Sequence, residues 1–360
     1  MSQTKALIAM SGGVDSSVAA HLTLQEGISC IGATMRLYDN QDLSVESSCC
    51  SLDDVEDARS VAHNLGIPFY VFNFTKEFQC AVMDQFVASY EHGLTPNPCV
   101  ECNRHLKFSK FLERAAVLGC EYIVTGHYAQ IIYDDASGRY LLKKAVDAAK
   151  DQSYFLYALT QEQMAHIRFP LGGMTKAEVR QIADAQGFQN ARKHDSQDIC
   201  FVPDGDYLAF LKRYTKKNYP SGKFLDLNGK VVGTHNGAVG YTLGQRKGLG
   251  LAMGAPVYVC SKNMAENTVT VGPNEALFHK ALRANDWFFF PFPDLKEPIR
   301  IKAKTRSRMQ EQPATAYPED NGYVRIEFDE PQRAITPGQA VVLYDGDTVV
   351  GGGTITEVIA

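Results

Sequence analysis

Two glycines, three hydroxyls and one acid fall within the seven positions from Ser11 to Ser17, directly after the apolar run Ala6 to Met10. A helical pattern begins near Ser16, so the segment Ala9, Met10, Ser11, Gly12, Gly13, Val14, Asp15, Ser16 reads as a strand-to-helix turn at a helix N-terminus. Backbone N–H groups there lack intrahelical partners and the helix dipole is positive, so the turn suits a polyphosphate. Gly12 and Gly13 let the backbone approach the anion, Ser11, Ser16 and Ser17 add hydroxyl donors, and Asp15 is placed to hold the Mg²⁺ that accompanies a nucleotide. The loop has no GK[ST], so it is not the type that handles a terminal phosphate. A plain connecting turn would not need this combination of residues.

The second chemical constellation is sulfur. Cys99 and Cys102 form a CxxC preceded by Pro96 and Pro98 and followed by a helical pattern whose first turn carries Arg104 and His105. Thiols beside a helix N-terminus and nearby cations favour the thiolate. Cys200 lies about a hundred residues on, in the loop-like segment DSQDICFVPDG. On residue type alone the CxxC is a reactive pair, half of a metal site or ordinary packing.

The elements that must position these groups follow from the patterning. Between residues 5 and 130, short apolar or β-branched runs alternate with amphipathic stretches, which is the order of βαβ units and a parallel sheet. Strands are expected at 5–10, 29–37, 67–74 and 121–125. Helices are expected from Ser16 to Gly27, from an N-cap at Ser51 to Gly66, over 75–91 and 103–118, and from Thr175 to Gly187. Beyond about residue 205 the texture turns to hairpin-like runs, GKFLDLNGKVVG, PVYVCSKNMAENTVTVG and YVRIEFDEP. We expect residues 1–205 to form the catalytic domain, 206–280 a small central β-rich domain and 281–360 a C-terminal β-barrel, with Leu277 to Asp294 separating the last two.

Composition bounds the rest. The chain has 360 residues, 45% of them hydrophobic, enough for two or three cores. No run of about 18 apolar residues and no secretory layout at MSQTKAL is present, so a cytoplasmic protein without membrane contact is expected. Nine cysteines then argue for a reducing compartment in which thiols serve metals or catalysis. With a net charge of −5, any RNA site must be a local basic patch. IKAKTRSR supplies one candidate: strict alternation would put Lys302, Lys304, Arg306 and Arg308 on one strand face, able to track phosphates or simply to guard an edge. KRYTKK at 212–217 reads as an exposed helix end.

SGGVDS resembles the pyrophosphate (PP) loop of ATP-pyrophosphatases, which cleave ATP between the α and β phosphates. Together with TPNPxxxCN, DSQDICF, VTGHYA at 124–129, KDQSYFL at 150–156, GYTLGQRKGLG at 240–250 and TPGQAVVLYDG at 336–346, it resembles the bacterial tRNA-specific 2-thiouridylase family nearly end to end. The resemblance implies an α/β fold: a parallel-sheet, adenine-nucleotide α-hydrolase-like (PP-loop) domain followed by two small β-rich domains, the last a barrel. It implies an ATP-dependent sulfurtransferase that replaces O2 of the wobble uridine in tRNA, gripping the anticodon arm. The sulfur would come from a cysteine desulfurase or a sulfur-relay protein.

By the same resemblance Cys102 is the attacking thiol and Cys200 the persulfide carrier, while Met35 packs on adenine and Gly126 gives backbone to the nucleotide. Asn97, Pro98 and Cys99 line the flipped target base. His127, Lys150, Asp151, Gln152, Arg306, Ser307 and Gln339 meet the tRNA. One departure stands out: family members commonly carry Asp where this chain has Cys99. Three routes therefore stay open, a persulfide relay, a labile iron–sulfur cluster on Cys99, Cys102 and Cys200, or zinc with His105 as fourth ligand. Cys49 and Cys50 are given no role.

Overall fold

The structure is a computed structural model, and it describes residues 4–38, 52–191, 193 and 199–359. The expected N-cap Ser51 and the pair Cys49 and Cys50 lie outside the described residues.

The chain opens with β1 (Lys5–Ala9), whose Ala6, Leu7 and Ile8 are fully buried, and α1 (Val14–Gln25), closed at Gly27 with φ +78°. There follow β2 (Ser29–Arg36), α2 (Leu52–Asn64), β3 (Phe69–Asn73) and a helical run made of α3 (Thr75–Phe78), a π-turn (Gln79–Met83) and α4 (Asp84–Glu91). A second composite helix comprises α5 (Pro98–Cys102), a π-helical stretch (Asn103–Lys110) and α6 (Phe111–Val117). It starts five residues earlier than expected because proline suits the first helical position, so both cysteines of the CxxC ride on the helix itself.

Next come β4 (Tyr122–Val124), the hairpin β5 (Gln130–Asp134) and β6 (Arg139–Lys143), α7 (Gln161–Ala165), β7 (Ile167–Arg168) and α8 (Lys176–Ala185). Thr175 caps α8 by accepting from the Glu178 amide while the Glu178 carboxylate reaches back, a capping box that sharply fixes the helix start. The first sheet runs β3-β2-β1-β4-β7, all parallel, and the order reverses around β1. In such sheets the ligand crevice lies beyond the carboxyl ends of the strands at that switch point, which here is the turn from β1 to α1.

After residue 205 one helix intervenes before the strands, α9 (Tyr207–Thr215), capped by the Asp206 side chain. It carries Lys212 and Arg213 in its last turn, as read for KRYTKK. Two hairpins follow, β8 (Gly222–Leu225) with β9 (Val231–His235), and β10 (Tyr258–Asn263) with β11 (Thr268–Gly272). They form one four-stranded sheet, β10-β11-β8-β9.

The last six strands are β12 (Phe278–Phe289), β13 (Ile299–Lys304), β14 (Gln312–Pro318), β15 (Val324–Arg333), β16 (Ala340–Asp345) and β17 (Thr348–Ile359). They close into a barrel through the β12–β17 pairing, and the β5–β6 hairpin of the first segment adds to its wall through β6–β17. Most of the stretch expected to separate the two β modules is therefore β12, the strand that closes the barrel.

The basic stripe does not form. Strand β13 ends at Lys304, whose ammonium lies 5.2 Å from the Tyr344 ring and 3.8 Å from the Glu311 carboxylate. Arg306 sits in the following turn, where its Nη2 donates to the Leu243 and Ala334 carbonyls and to Thr336 Oγ1 at 2.8–3.2 Å. Lys302 and Arg308 remain exposed. Arg306 is thus a strut between the central sheet and the barrel.

Because losing its guanidinium leaves two carbonyls and a hydroxyl at this seam without that donor, Arg306→Ala should lower stability by about 1–3 kcal/mol, read from urea unfolding. An Arg306 serving only as an exposed phosphate contact would leave the unfolding midpoint unchanged.

Candidate active site

The carbonyls of the β1–α1 turn are engaged by the protein's own donors. Met10 O accepts from Thr34 Oγ1 at 2.6 Å, Gly12 O from Asn190 Nδ2 at 3.0 Å, and Gly13 O from the Ser16 and Ser17 hydroxyls at 3.0 and 3.1 Å. The expected role of Ser16 and Ser17 as ligand donors is thereby revised: they brace the loop, and Ser11 is the exposed hydroxyl. Ser16 Oγ also accepts from the Ser11 amide. Gly13 occupies the N-cap position without a side-chain cap, which leaves room for an anion. Gly12 is required twice over. Its φ is +74°, and a Cβ there would come 2.3 Å from the Asp54 carbonyl oxygen on α2.

Gly126, just beyond β4, packs flush against the start of α1, where a Cβ would lie 2.7 Å from the Asp15 carbonyl carbon. Val14 is buried, Ala9 half-buried, and Met35 half-buried near the carboxyl end of β2. Asp15 is not bare. Its carboxylate accepts from Tyr128 OH at 2.8 Å and from Lys176 Nζ at 2.7 and 2.8 Å.

The VTGHYA segment is pinned by the KDQ turn: Gln152 accepts from the Tyr128 amide through Oε1 and donates its own amide to the Tyr128 carbonyl. Asp151 accepts from the Ala145 and Ser153 amides and the Ser153 hydroxyl, and Lys150 N–H donates to the Asp147 carbonyl. Asp151 therefore organises this turn, and Gln152 ties it to the VTGHYA segment at Tyr128. His127 packs between Phe108 and Phe169, with Nδ1 2.6 Å from Thr125 Oγ1. Burial first, and Lys107 second, hold its pKa well below 6.5.

The thiol helix is held from the opposite side. The TPNP segment before it meets the barrel turn TPGQ: Thr95 N–H donates to Pro337 O, and Gln339 Nε2 donates to the carbonyls of Thr95 and Pro96. Gln339 thus acts on the loop that carries Asn97 and Pro98. Asn97 is the N-cap of α5 and Pro98 its first residue; Cys99 is exposed and Cys102 7% exposed. Farther along, Arg104 forms a two-pronged ion pair with Asp286 of β12 and lies 4.8 Å from the centre of the Phe288 ring. A cavity of about 460 Å³ opens here between α5 and the barrel, walled in part by Asn97, Pro98, Arg104 and Asp286.

Cys200 is half-buried against the same apolar core that takes Cys102. Its carbonyl accepts from Tyr38 OH at 2.6 Å beyond β2, and Phe201 is inserted among Phe78, Phe86 and Phe210. The segment read as loop-like is thus anchored at Cys200 itself. Residues 194–198 ahead of it lie outside the described residues.

The metal readings fit less well. Among the described residues no group of three His, Cys, Asp or Glu side chains is arranged to hold a metal, so Cys99, Cys102 and Cys200 do not gather as cluster ligands. His105 is turned to Glu101, 3.2 Å away on the same helical run, rather than to the thiols. Arg306 is drawn away into the seam between the β modules, with Ser307 beside it in the turn. Sequence reasoning missed Lys176, Asn190, Tyr128 and Tyr38. Only Lys176 had a local signal, its place at the first position of a capped helix.

Comparison with known proteins matches three profiles in chain order. They are the tRNA methyl transferase HUP domain over residues 4–204, the tRNA methyl transferase PRC-barrel domain over 208–273 and the aminomethyltransferase beta-barrel domain over 279–355. The chain is 50% identical to the tRNA-specific 2-thiouridylase MnmA of Clostridioides difficile strain 630, over 98% of each protein. It is 51% identical to the MnmA of Acetivibrio thermocellus, over 99% of this chain and 100% of that one. The MnmA of Moorella thermoacetica is also 51% identical, over 98% and 99%.

Two measurements test this geometry. Gly12→Ala should abolish detectable ATP binding by calorimetry, because both the left-handed turn and the Asp54 contact must yield. For His127 the unfolded imidazole titrates near 6.5 and the folded one well below, so stability is fully present above pH 6.5 and is lost as pH falls beneath it. His127→Gln should flatten the loss of urea midpoint between pH 7 and 5.5.

The ordered motifs, the braced loop and full-length identity at this level place the chain in the tRNA-specific 2-thiouridylase family.

Proposed function

We propose that the protein is an ATP-dependent tRNA uridine 2-sulfurtransferase working through a cysteine persulfide. What supports this reading is that Cys102 and Cys200 both pack against one extended apolar core, in a chain whose β1–α1 turn has an uncapped helix N-terminus at the switch point of the parallel sheet. A uridine C2 carbonyl has no leaving group, so its oxygen must first attack the α-phosphorus of ATP and release diphosphate. The resulting O2-adenylate gives C2 an AMP leaving group. Mg²⁺, when bound with ATP at Asp15, offsets negative charge on the phosphates.

In the sulfur step the outer sulfur of a Cys200 persulfide adds to C2. The Cys102 thiolate attacks the inner sulfur, so the outer S–S bond breaks with its electron pair moving to the transferred sulfur, and AMP departs from C2. A Cys102–Cys200 disulfide remains and an external dithiol must reduce it. Anchoring of Cys200 through its carbonyl and Phe201 leaves its side chain as the part that moves.

The proposed partners are tRNA, through its anticodon arm, and a persulfide donor such as a cysteine desulfurase or sulfur-relay protein. Asn97, Pro98 and Cys99 would face the flipped base, while Lys150 and Ser307 would extend contact along the RNA. Met35 and Gly126 would serve the adenine nucleotide. A cytoplasmic location goes with this substrate; among the described residues no helix is long and apolar enough to cross a membrane.

In a thiolation assay on unmodified tRNA, Cys102→Ala and Cys200→Ala should each reduce 2-thiouridine formation by at least about 10³-fold while ATP still binds. Cys99→Ala should retain activity within several-fold, and iron-free protein should be fully active. Activity that tracks iron content and falls with Cys99→Ala as far as with Cys102→Ala would contradict the relay.

A further inference from the structure

Lys176 stands where the sequence motifs place no functional group, and its surroundings suggest more than an anchor. Its backbone is fixed: the helix start is held by the Thr175–Glu178 box, and its own N–H donates to Asp147 Oδ2 at 2.9 Å. Its residue surface is only 9% exposed, so the stem is packed in place. The ammonium nevertheless emerges at the nucleotide loop, spanning both oxygens of Asp15 at 2.7 and 2.8 Å and lying 5.8 Å from the Tyr128 ring centre.

This arrangement sets a conflict. Asp15 is the loop's acid and the residue placed to take Mg²⁺, but its carboxylate already carries a cation. A divalent ion and an ammonium on the same two oxygens repel strongly, since like charges a few ångströms apart cost several kcal/mol in a poorly solvated site. Diphosphate arriving on the open amides of α1 brings several negative charges to the same few ångströms. Lys has a compact charge on a flexible stem and can follow the larger anion while its backbone stays fixed.

We infer that Lys176 is a phosphate-binding residue that exchanges partners: with the nucleotide absent it neutralises Asp15, and when MgATP binds it passes to the diphosphate and releases Asp15 to the metal. The exchange rests on the reading of the β1–α1 turn as a diphosphate site. It makes metal-free ATP a poor ligand, since a phosphate that draws Lys176 away would leave Asp15 uncompensated beside it. Binding is thereby linked to the magnesium complex, the form whose diphosphate is the better leaving group.

Titration calorimetry on the full-length protein tests this with MgATP, ATP in EDTA, magnesium pyrophosphate and AMP. Lys176→Gln should weaken MgATP and pyrophosphate by on the order of 10- to 100-fold, the range of a charge-assisted phosphate contact, and leave AMP within about twofold. Lys176→Arg should keep MgATP within several-fold. Asp15→Asn, which removes the competing anion, should bind metal-free ATP several-fold more tightly than the wild type does. Equal weakening of AMP and MgATP in Lys176→Gln would show a packing role and overturn the exchange. So would Asp15→Asn binding metal-free ATP no better than wild type. Wild-type protein that binds neither MgATP nor pyrophosphate overturns the diphosphate reading itself, and the exchange with it.

Discussion

A loop can offer its amides to an anion only if its carbonyls are turned away and satisfied elsewhere, because a carbonyl oxygen facing a phosphate repels it and a buried one without a donor is costly. Each of the three carbonyls behind the β1–α1 turn has such a donor, and the donors come from three places in the chain. Thr34 reaches Met10 from β2, Ser16 and Ser17 reach Gly13 from α1, and Asn190 reaches Gly12 from the turn after α8. The cradle is therefore a product of the assembled sheet. Tyr128 and Lys176 extend the same principle to Asp15, whose charge is held in register from β4's end and from α8.

The same end of the sheet also fixes the Cys200 segment. Beyond the carboxyl ends of β1 and β2 the crevice is flanked by Tyr38, and Tyr38 holds the Cys200 carbonyl. Aromatic rings from the α3–α4 run and α9 close around Phe201, so the position of the Cys200 backbone is set by a buried aromatic cluster. Cys102 enters the same core from α5. Two thiols far apart in sequence thus pack against one extended apolar core, while Cys99 is exposed.

How much of this was legible depended on whether the determining interaction was local. The PP-type turn, the parallel order of the first sheet and the Thr175 box are written within a few residues, and they could be read directly. Lys176 with Asp15, and Asn190 with Gly12, join positions more than 150 residues apart, and no single-sequence pattern encodes such a meeting. Two errors came from trusting local texture too far. Alternation in IKAKTRSR implied a strand through Arg308, but β13 stops at Lys304 because Arg306 is needed at the seam with the central sheet. The stretch Leu277 to Asp294 reads as a separator, yet most of it is β12, where register shifts between Asn285 and Phe288 let the strand bend to close the barrel.

That bend has a consequence for the site. Asp286 adopts φ +53° within the bulge, a conformation that an Asp tolerates better than most residues, and its carboxylate meets Arg104 on the thiol helix. Gln339 and Pro337 hold the other end of the same segment, at Thr95 and Pro96. The barrel therefore grips the CxxC-bearing helix at both sides of Cys99 and Cys102. The barrel and the CxxC-bearing helix are tied together on both sides of the cysteines, so a displacement of one is passed to the other through these bonds.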